Sequence, residues 1–183
     1  RDKLVTGVQT CALPISLRFV SVALPWLQLI RFLLPGIASL ATVSTSSDGS
    51  VFPAVRTITM RPNFGNYLTA CTDGRSGKIA DLKSNSVCEI SWYFALTLEQ
   101  YRMRCNVTMI GEDSEDSAAL AQRLKLWKEL SPETRAMFDA PQPGAPALVT
   151  RNLGDLDKFE AQKGPEATPS PNFVLLLFGE RAL

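Results

Sequence analysis

The chain has 183 residues, 45% hydrophobic and 20% charged, with a net charge of +1. That is the balance of one globular domain with a real core, and it gives no global pull toward nucleic acid or an anionic membrane. Histidine is absent and Cys11, Cys71, Cys88 and Cys105 form no CxxC pair, which excludes Ser-His and Cys-His catalysis, argues against a metal site, and fits a reducing, cytoplasmic compartment.

Residues 1–16 are set apart. Val5 to Ile15, VTGVQTCALPI, resembles the translation of a sequencing-adapter oligonucleotide, so 17–183 is read as the single domain. Arg1, Lys3 and Arg18 ahead of the apolar run Phe19 to Leu34 mimic a secretory signal. That run has 16 residues and is broken by Pro25, Gln28 and Arg31, short of the ~20 that span a bilayer. A packed helix from about Pro25 to Leu34 is the better reading, with Pro25 in its first turn. No membrane segment is expected.

Ile37 to Ser44 reads as a strand, closed by the turn Ser46-Ser47-Asp48-Gly49, where glycine supplies positive φ. Val51 to Arg61 pairs with it, Pro53 marking an irregular or edge position. A third strand, Tyr67 to Thr72, runs into the turn Asp73-Gly74-Arg75-Ser76-Gly77 and a short helix over Lys78 to Lys83. Val87 to Ala95 alternates, with Cys88, Ile90, Trp92 and Phe94 on one face. In Gln100 to Ile110, Tyr101, Met103, Cys105, Val107 and Met109 share a face, as in a half-buried antiparallel strand. Five such strands at short spacing predict a barrel or sandwich.

Ser114 to Leu130 follows as a helix, capped by Ser114, with Leu120, Leu124 and Trp127 as its apolar stripe. Pro132 to Phe138 is a second short helix behind a Ser131 cap. Asp139 to Pro171, rich in proline, reads as an extended loop. Asn172 to Phe178 is an all-apolar strand close to Leu183, and a strand of that kind at the end of the sequence leads us to expect a C-terminal truncation.

The chemistry concentrates in Val51 to Leu82. Arg56, Arg61, Arg75 and Lys78 stand there amid apolar and hydroxylic residues. Arginine forks, a lysine, Ser76 and the free N–H groups of a helix start suit a phosphate monoester, and Gly74 and Gly77 allow close backbone approach. Taken singly, each arginine is an ordinary surface charge; grouped behind a glycine turn they make an anion site a live reading. A nucleotide-triphosphate loop does not fit, because Thr72 stands where its first glycine belongs and Ile79 where its hydroxyl follows the lysine. Arg56 and Arg61, five apart, point to opposite faces of a regular strand unless a bulge intervenes.

The ordered motifs R-T-I-T-M-R, C-T-D-G-R-S-G-K and W-Y-F-A-L-T-L-E-Q-Y-R resemble the pyridoxamine 5′-phosphate oxidase-like family of FMN-binding split barrels. The nearest branch is the one reading TDxRSxK and WYFxxTxxQFR. The resemblance covers about Pro25 to Phe178. It implies a mainly β fold, a split barrel of about six antiparallel strands with peripheral helices. It also implies a homodimer with FMN at the interface and a small-molecule substrate. Hydride transfer through the flavin N5 would be the chemistry, as in an FMN-dependent oxidoreductase. A flavin-dependent NAD(P)H reductase and a flavin-binding module without turnover are the alternatives.

Position by position, the resemblance implies that Arg56 contacts the FMN phosphate and ribityl region. The strand through Thr57 and Ile58 lends backbone contacts to the flavin ring, and Arg61 stands near the substrate. Cys71 and Thr72 fall beside the flavin, Arg75, Ser76 and Lys78 form the phosphate clamp, and Gln100 reaches FMN from the neighbouring subunit. No residue is a convincing general base. Family members often complete the site from a C-terminal strand rich in Arg and Trp, which this sequence does not include.

Overall fold

A computed structural model describes residues 36–95, 98–145 and 168–180. The expected N-terminal helix, the adapter-like segment and most of the proline-rich loop lie outside them. The described elements are β1 (Ile37–Thr45), β2 (Val51–Phe64), β3 (Tyr67–Asp73), α1 (Gly77–Ser84), β4 (Val87–Phe94) and β5 (Glu99–Ile110), then α2 (Ser117–Glu129), α3 (Pro132–Ala136) and β6 (Phe173–Glu180). The strands close an antiparallel barrel in the order β1-β2-β3-β6-β5-β4, with β4 returning to β1. Among the described residues no helix is long and apolar enough to cross a membrane.

Alternation decides which side chains enter the barrel. Ala38 and Leu40 of β1, Ile58 and Met60 of β2, Cys88, Ile90, Trp92 and Phe94 of β4, and Met103, Cys105 and Val107 of β5 form one buried core. Ile79 and Leu82 of α1 belong to the same core. The β1–β2 turn forms where glycine predicted it: Gly49 has φ +83 and donates to the Ser46 carbonyl at 3.0 Å.

β6 does not alternate, and its place explains why. Leu176 and Phe178 face the barrel core, while Phe173, Leu175 and Leu177 face a second core under α2. A strand covered on both faces has no polar side to display. Both its edges are paired as well, by β3 and by β5.

α2 corrects two expectations. Its N-cap is Asp116, whose carboxylate accepts from the Ala119 N–H at 3.0 Å, so Ser114 sits outside the helix. Its buried face is Ala119, Arg123, Leu126 and Trp127, with Leu124 exposed. Arg123 is chosen over Leu124 because it finds acceptors: it donates to the Phe173 carbonyl at 2.8 Å and the Ser170 carbonyl at 2.9 Å, with its guanidinium 5.6 Å from the Phe173 ring. Burial pushes its pKa below the ordinary guanidinium value. α3 starts behind Ser131 as expected, the hydroxyl accepting from the Thr134 N–H at 3.3 Å.

The Arg123→Met variant keeps the aliphatic stem but removes both buried hydrogen bonds, leaving the Ser170 carbonyl only the Phe173 N–H. It should lose about 3 kcal/mol of unfolding free energy in urea titration, whereas Leu124→Ala on the exposed face should lose far less.

Candidate functional site

β2 and β3 part company along the barrel wall. Their register is recorded at Met60–Ala70, Arg61–Thr69 and Phe64–Tyr67, with an irregularity between Arg61 and Phe64. Val51 to Thr59 pair with β1 on the other edge. Pro53, opposite Val43, lies in this half of β2, where its missing N–H costs nothing on the edge away from β1.

At the open end of this seam stands a polar cluster. The Lys78 ammonium donates to the Thr72 hydroxyl at 2.9 Å and to the Ser76 hydroxyl at 3.2 Å. The Ser76 hydroxyl donates to the Asp73 carbonyl at 2.7 Å, so it does not cap the helix it precedes. The backbone N–H groups of Gly77 and Lys78 have no bond among the described contacts, and a Cβ added at Gly77 would meet nothing within 4 Å. A helix start of this kind presents donors to an anion. Burial pushes the Lys78 ammonium below the ordinary lysine value; the nearby charge of Arg56 adds to the push and Asp73 opposes it.

Arg56 reaches the same end from β2. Its guanidinium donates to the Thr42 hydroxyl, to the Ala54 carbonyl at 3.1 Å, and to the Asp81 carboxylate at 2.8 Å. Asp81 on α1 is 8% exposed and also accepts from Thr42 and Ser44, each at 2.7 Å. Burial pushes its pKa up, but those hydrogen bonds and Arg56 together hold it below the ordinary carboxylate value. Asp81, Thr42 and Ser44 were not singled out from sequence. The available signals were the i, i+3 spacing of Lys78 and Asp81 on one short helix, and two hydroxyls at alternate positions of β1.

Arg75, expected in the clamp, is engaged elsewhere. It makes a two-pronged pair with Asp73 at 3.0 and 2.7 Å and donates to the carbonyls of Phe138 and Ala140 at 3.0 and 2.9 Å. It braces the glycine turn against the segment after α3. Gly74 serves packing: its N–H donates to the Asn172 carbonyl at 2.7 Å, and an added Cβ would press on Val174 at 3.1 Å.

Arg61 lies on the opposite face of β2 from Arg56, as their spacing requires. It adjoins Cys71, and its Nε is buried with no hydrogen-bond partner. Burial pushes the Cys71 thiol up, with Arg61 offsetting part of the rise. Cys88 and Cys105 face each other across β4 and β5 in the barrel core as expected. Ile58 is core; Thr57 is exposed and opposite Ser39, which is opposite Ser91. Gln100, also exposed, donates to the Ser91 hydroxyl at 2.7 Å. Gln100 and Thr57 thus share one outer face of the sheet, and Gln100 has no described contact with the Lys78 cluster. The structure therefore joins Arg56, Thr72, Ser76 and Lys78, and leaves Arg61 with Cys71, Arg75 and Gln100 at separate stations.

Comparison with known proteins gives this arrangement a family. The model described as "Pyridoxamine 5′-phosphate oxidase, FMN-binding domain" matches residues 35–111. The pyridoxine/pyridoxamine 5′-phosphate oxidase 2 of Arabidopsis thaliana is 31% identical over 127 residues, which is 68% of this chain and 62% of that protein's length. A crystal structure of a pyridoxamine 5′-phosphate oxidase-related, FMN-binding protein from Nostoc punctiforme is 32% identical, with a TM-score of 0.71 over 87% of this chain and 79% of the other. PhzG from Burkholderia lata 383, solved with tetrahydrophenazine-1-carboxylic acid, shares the fold at 22% identity and a TM-score of 0.65, covering 88% and 75% of the two chains. The order of strands and these likenesses agree: the chain belongs to the pyridoxamine 5′-phosphate oxidase-like family of FMN-binding split barrels.

Proposed function

We propose that this chain binds FMN as an oxidoreductase of the pyridoxamine 5′-phosphate oxidase-like type, with the flavin phosphate held by Lys78, Ser76, Thr72 and Arg56. The observation that carries this reading is the Lys78 ammonium held between two hydroxyls with Arg56 alongside. An ammonium, a guanidinium fork, two hydroxyls and open N–H groups at a helix start are the groups that recognise a phosphate. FMN, when bound, supplies hydride transfer at its N5. The chain's own residues then have simpler tasks. Lys78 would supply the net positive charge to the phosphate, Arg56 would add guanidinium hydrogen bonds, and Ser76 and Thr72 would orient it. The backbone around Thr57 and Ile58 would contact the ring, and Arg61 beside Cys71 would offer a cation to an anionic substrate. Arg75, bound to Asp73 and two carbonyls, supports the turn.

The outer face supports assembly as a homodimer. Ile37, Val43, Val55 and Tyr93 are exposed there at 57%, 41%, 66% and 56%, around the row that holds Thr57 and Gln100. An apolar patch with polar residues set in it suits a second copy of this chain. In the homodimer Gln100 of one protomer would reach the flavin of the other. Cys71, Cys88 and Cys105 are all free thiols, in keeping with a cytoplasmic setting.

Purified protein should be yellow, with FMN as the flavin released on denaturation; a colourless protein that takes up no flavin on titration overturns the reading. Lys78→Ala should weaken FMN binding by about 1.5–3 kcal/mol, roughly ten- to hundredfold, as read by quenching of flavin fluorescence. The affinity should also depend on pH with a definite sign. Lys78 is lowered in the free protein and would be raised beside a phosphate, so affinity is full below its free-protein pKa and declines as pH rises through it. That decline should begin below the ordinary lysine range and vanish in Lys78→Met.

A further inference from the structure

We propose that Asp81 is the positioning residue of this phosphate site, fixing the Arg56 guanidinium beside Lys78 so that two like charges converge before any anion arrives. The inference rests on the phosphate reading above.

Arg56 and Lys78 repel each other, and within β2 the guanidinium has a single neutral hold, the Ala54 carbonyl at 3.1 Å. Arg56 extends from the half of β2 that has no β3 partner, and its side chain is 22% exposed. A long side chain with that freedom and a like charge as neighbour turns toward water unless it is held. Asp81 holds it. Its Oδ2 accepts from Arg56 and from Thr42, and its Oδ1 accepts from Ser44. Thr42 and Ser44 fix the carboxylate to β1 independently of the arginine, so the acid is the anchor and the arginine is the group anchored. Thr42 adds a second hold, because its hydroxyl also accepts from Arg56.

α1 then sets the spacing of the two cations. Lys78 and Asp81 are three residues apart on it, neighbours along the helix surface. One turn of helix therefore carries both the ammonium and the anchor of the guanidinium. The charges also add usefully: Arg56 and Lys78 contribute two positive, Asp81 one negative, and the remaining single positive charge is easier to keep together in the empty site than two. Both Asp81 oxygens are occupied and the residue is buried, so it acts through Arg56 rather than on the ligand.

The test titrates FMN and riboflavin, which lacks the phosphate, into wild type, Asp81→Ala, Asp81→Asn, Arg56→Ala and the Arg56→Ala/Asp81→Ala double variant, with thermal melting as a check on folding. Asp81→Ala should weaken FMN binding by about tenfold or more and leave riboflavin binding unchanged. Asp81→Asn, nearly the same shape, should move in the same direction and carries the test should the alanine variant not fold. In the Arg56→Ala background the second substitution should add nothing, as expected for residues acting as one unit. Tighter FMN binding in Asp81→Ala would make the acid a competitor of the phosphate and overturn the proposal. So would an equal loss for both flavins, or a full further loss in the double variant. Equal affinity of wild type for the two flavins would overturn the phosphate reading itself, and this role with it.

Discussion

β6 is the constraint on which the rest of the molecule depends. It pairs with β3 on one edge and β5 on the other, and its two faces are the meeting point of the two cores. The turn that carries the polar cluster leans on the start of this strand. Gly74 donates to the Asn172 carbonyl, Asn172 donates to the Phe138 carbonyl, and that carbonyl also accepts from Arg75. A displacement at the start of β6 is thereby passed to the turn by hydrogen bonds rather than by loose packing. Phe173, Phe138 and Trp127 stack around the same point at centroid distances of 5.0 to 5.8 Å, which stiffens it further.

The site itself obeys a charge logic that packing alone does not give. Buried or half-buried cations need partners, and the chain supplies two different kinds. Arg75 is neutralised by Asp73 and Arg56 by Asp81, at 2.7 and 2.8 Å. Lys78 has only hydroxyls for immediate company. Burial and the neighbouring charge of Arg56 push its pKa below the ordinary lysine value, with Asp73 opposing them.

Much of this was legible in the sequence. The alternation in β4 and β5 identified their core faces residue by residue, because a two-residue period has one meaning on a half-buried sheet. The opposite facing of Arg56 and Arg61 followed from their spacing alone. Two things were not legible. Whether Arg75 turns toward a ligand or toward Asp73 depends on carbonyls more than sixty residues further on, at Phe138 and Ala140, and no local pattern encodes them. Asp81 was passed over because an acid on a short helix usually faces water. Its hydroxyl partners lie on β1, 37 and 39 residues earlier, and Arg56 on β2, 25 residues earlier. The face of α2 is hidden for a related reason: periodicity favours Leu124 over Arg123, whereas the carbonyls of Phe173 and Ser170, some fifty residues on, draw the arginine inward.

The pairing of β3 with β6 has a kinetic consequence. Asp73 and Phe173 are opposite one another in that ladder and a hundred residues apart in the chain, while β1–β2, β2–β3 and β4–β5 are neighbours in sequence. Contacts at such separation form late, after the local hairpins. Without β6 the barrel has no link between β3 and β5, and unpaired strand edges of that kind favour association with other unfinished chains. The lysine-serine turn has no Asn172 to rest on until β6 docks. The Gly74–Asn172 contact that braces the lysine-serine turn thus forms only with closure of the barrel.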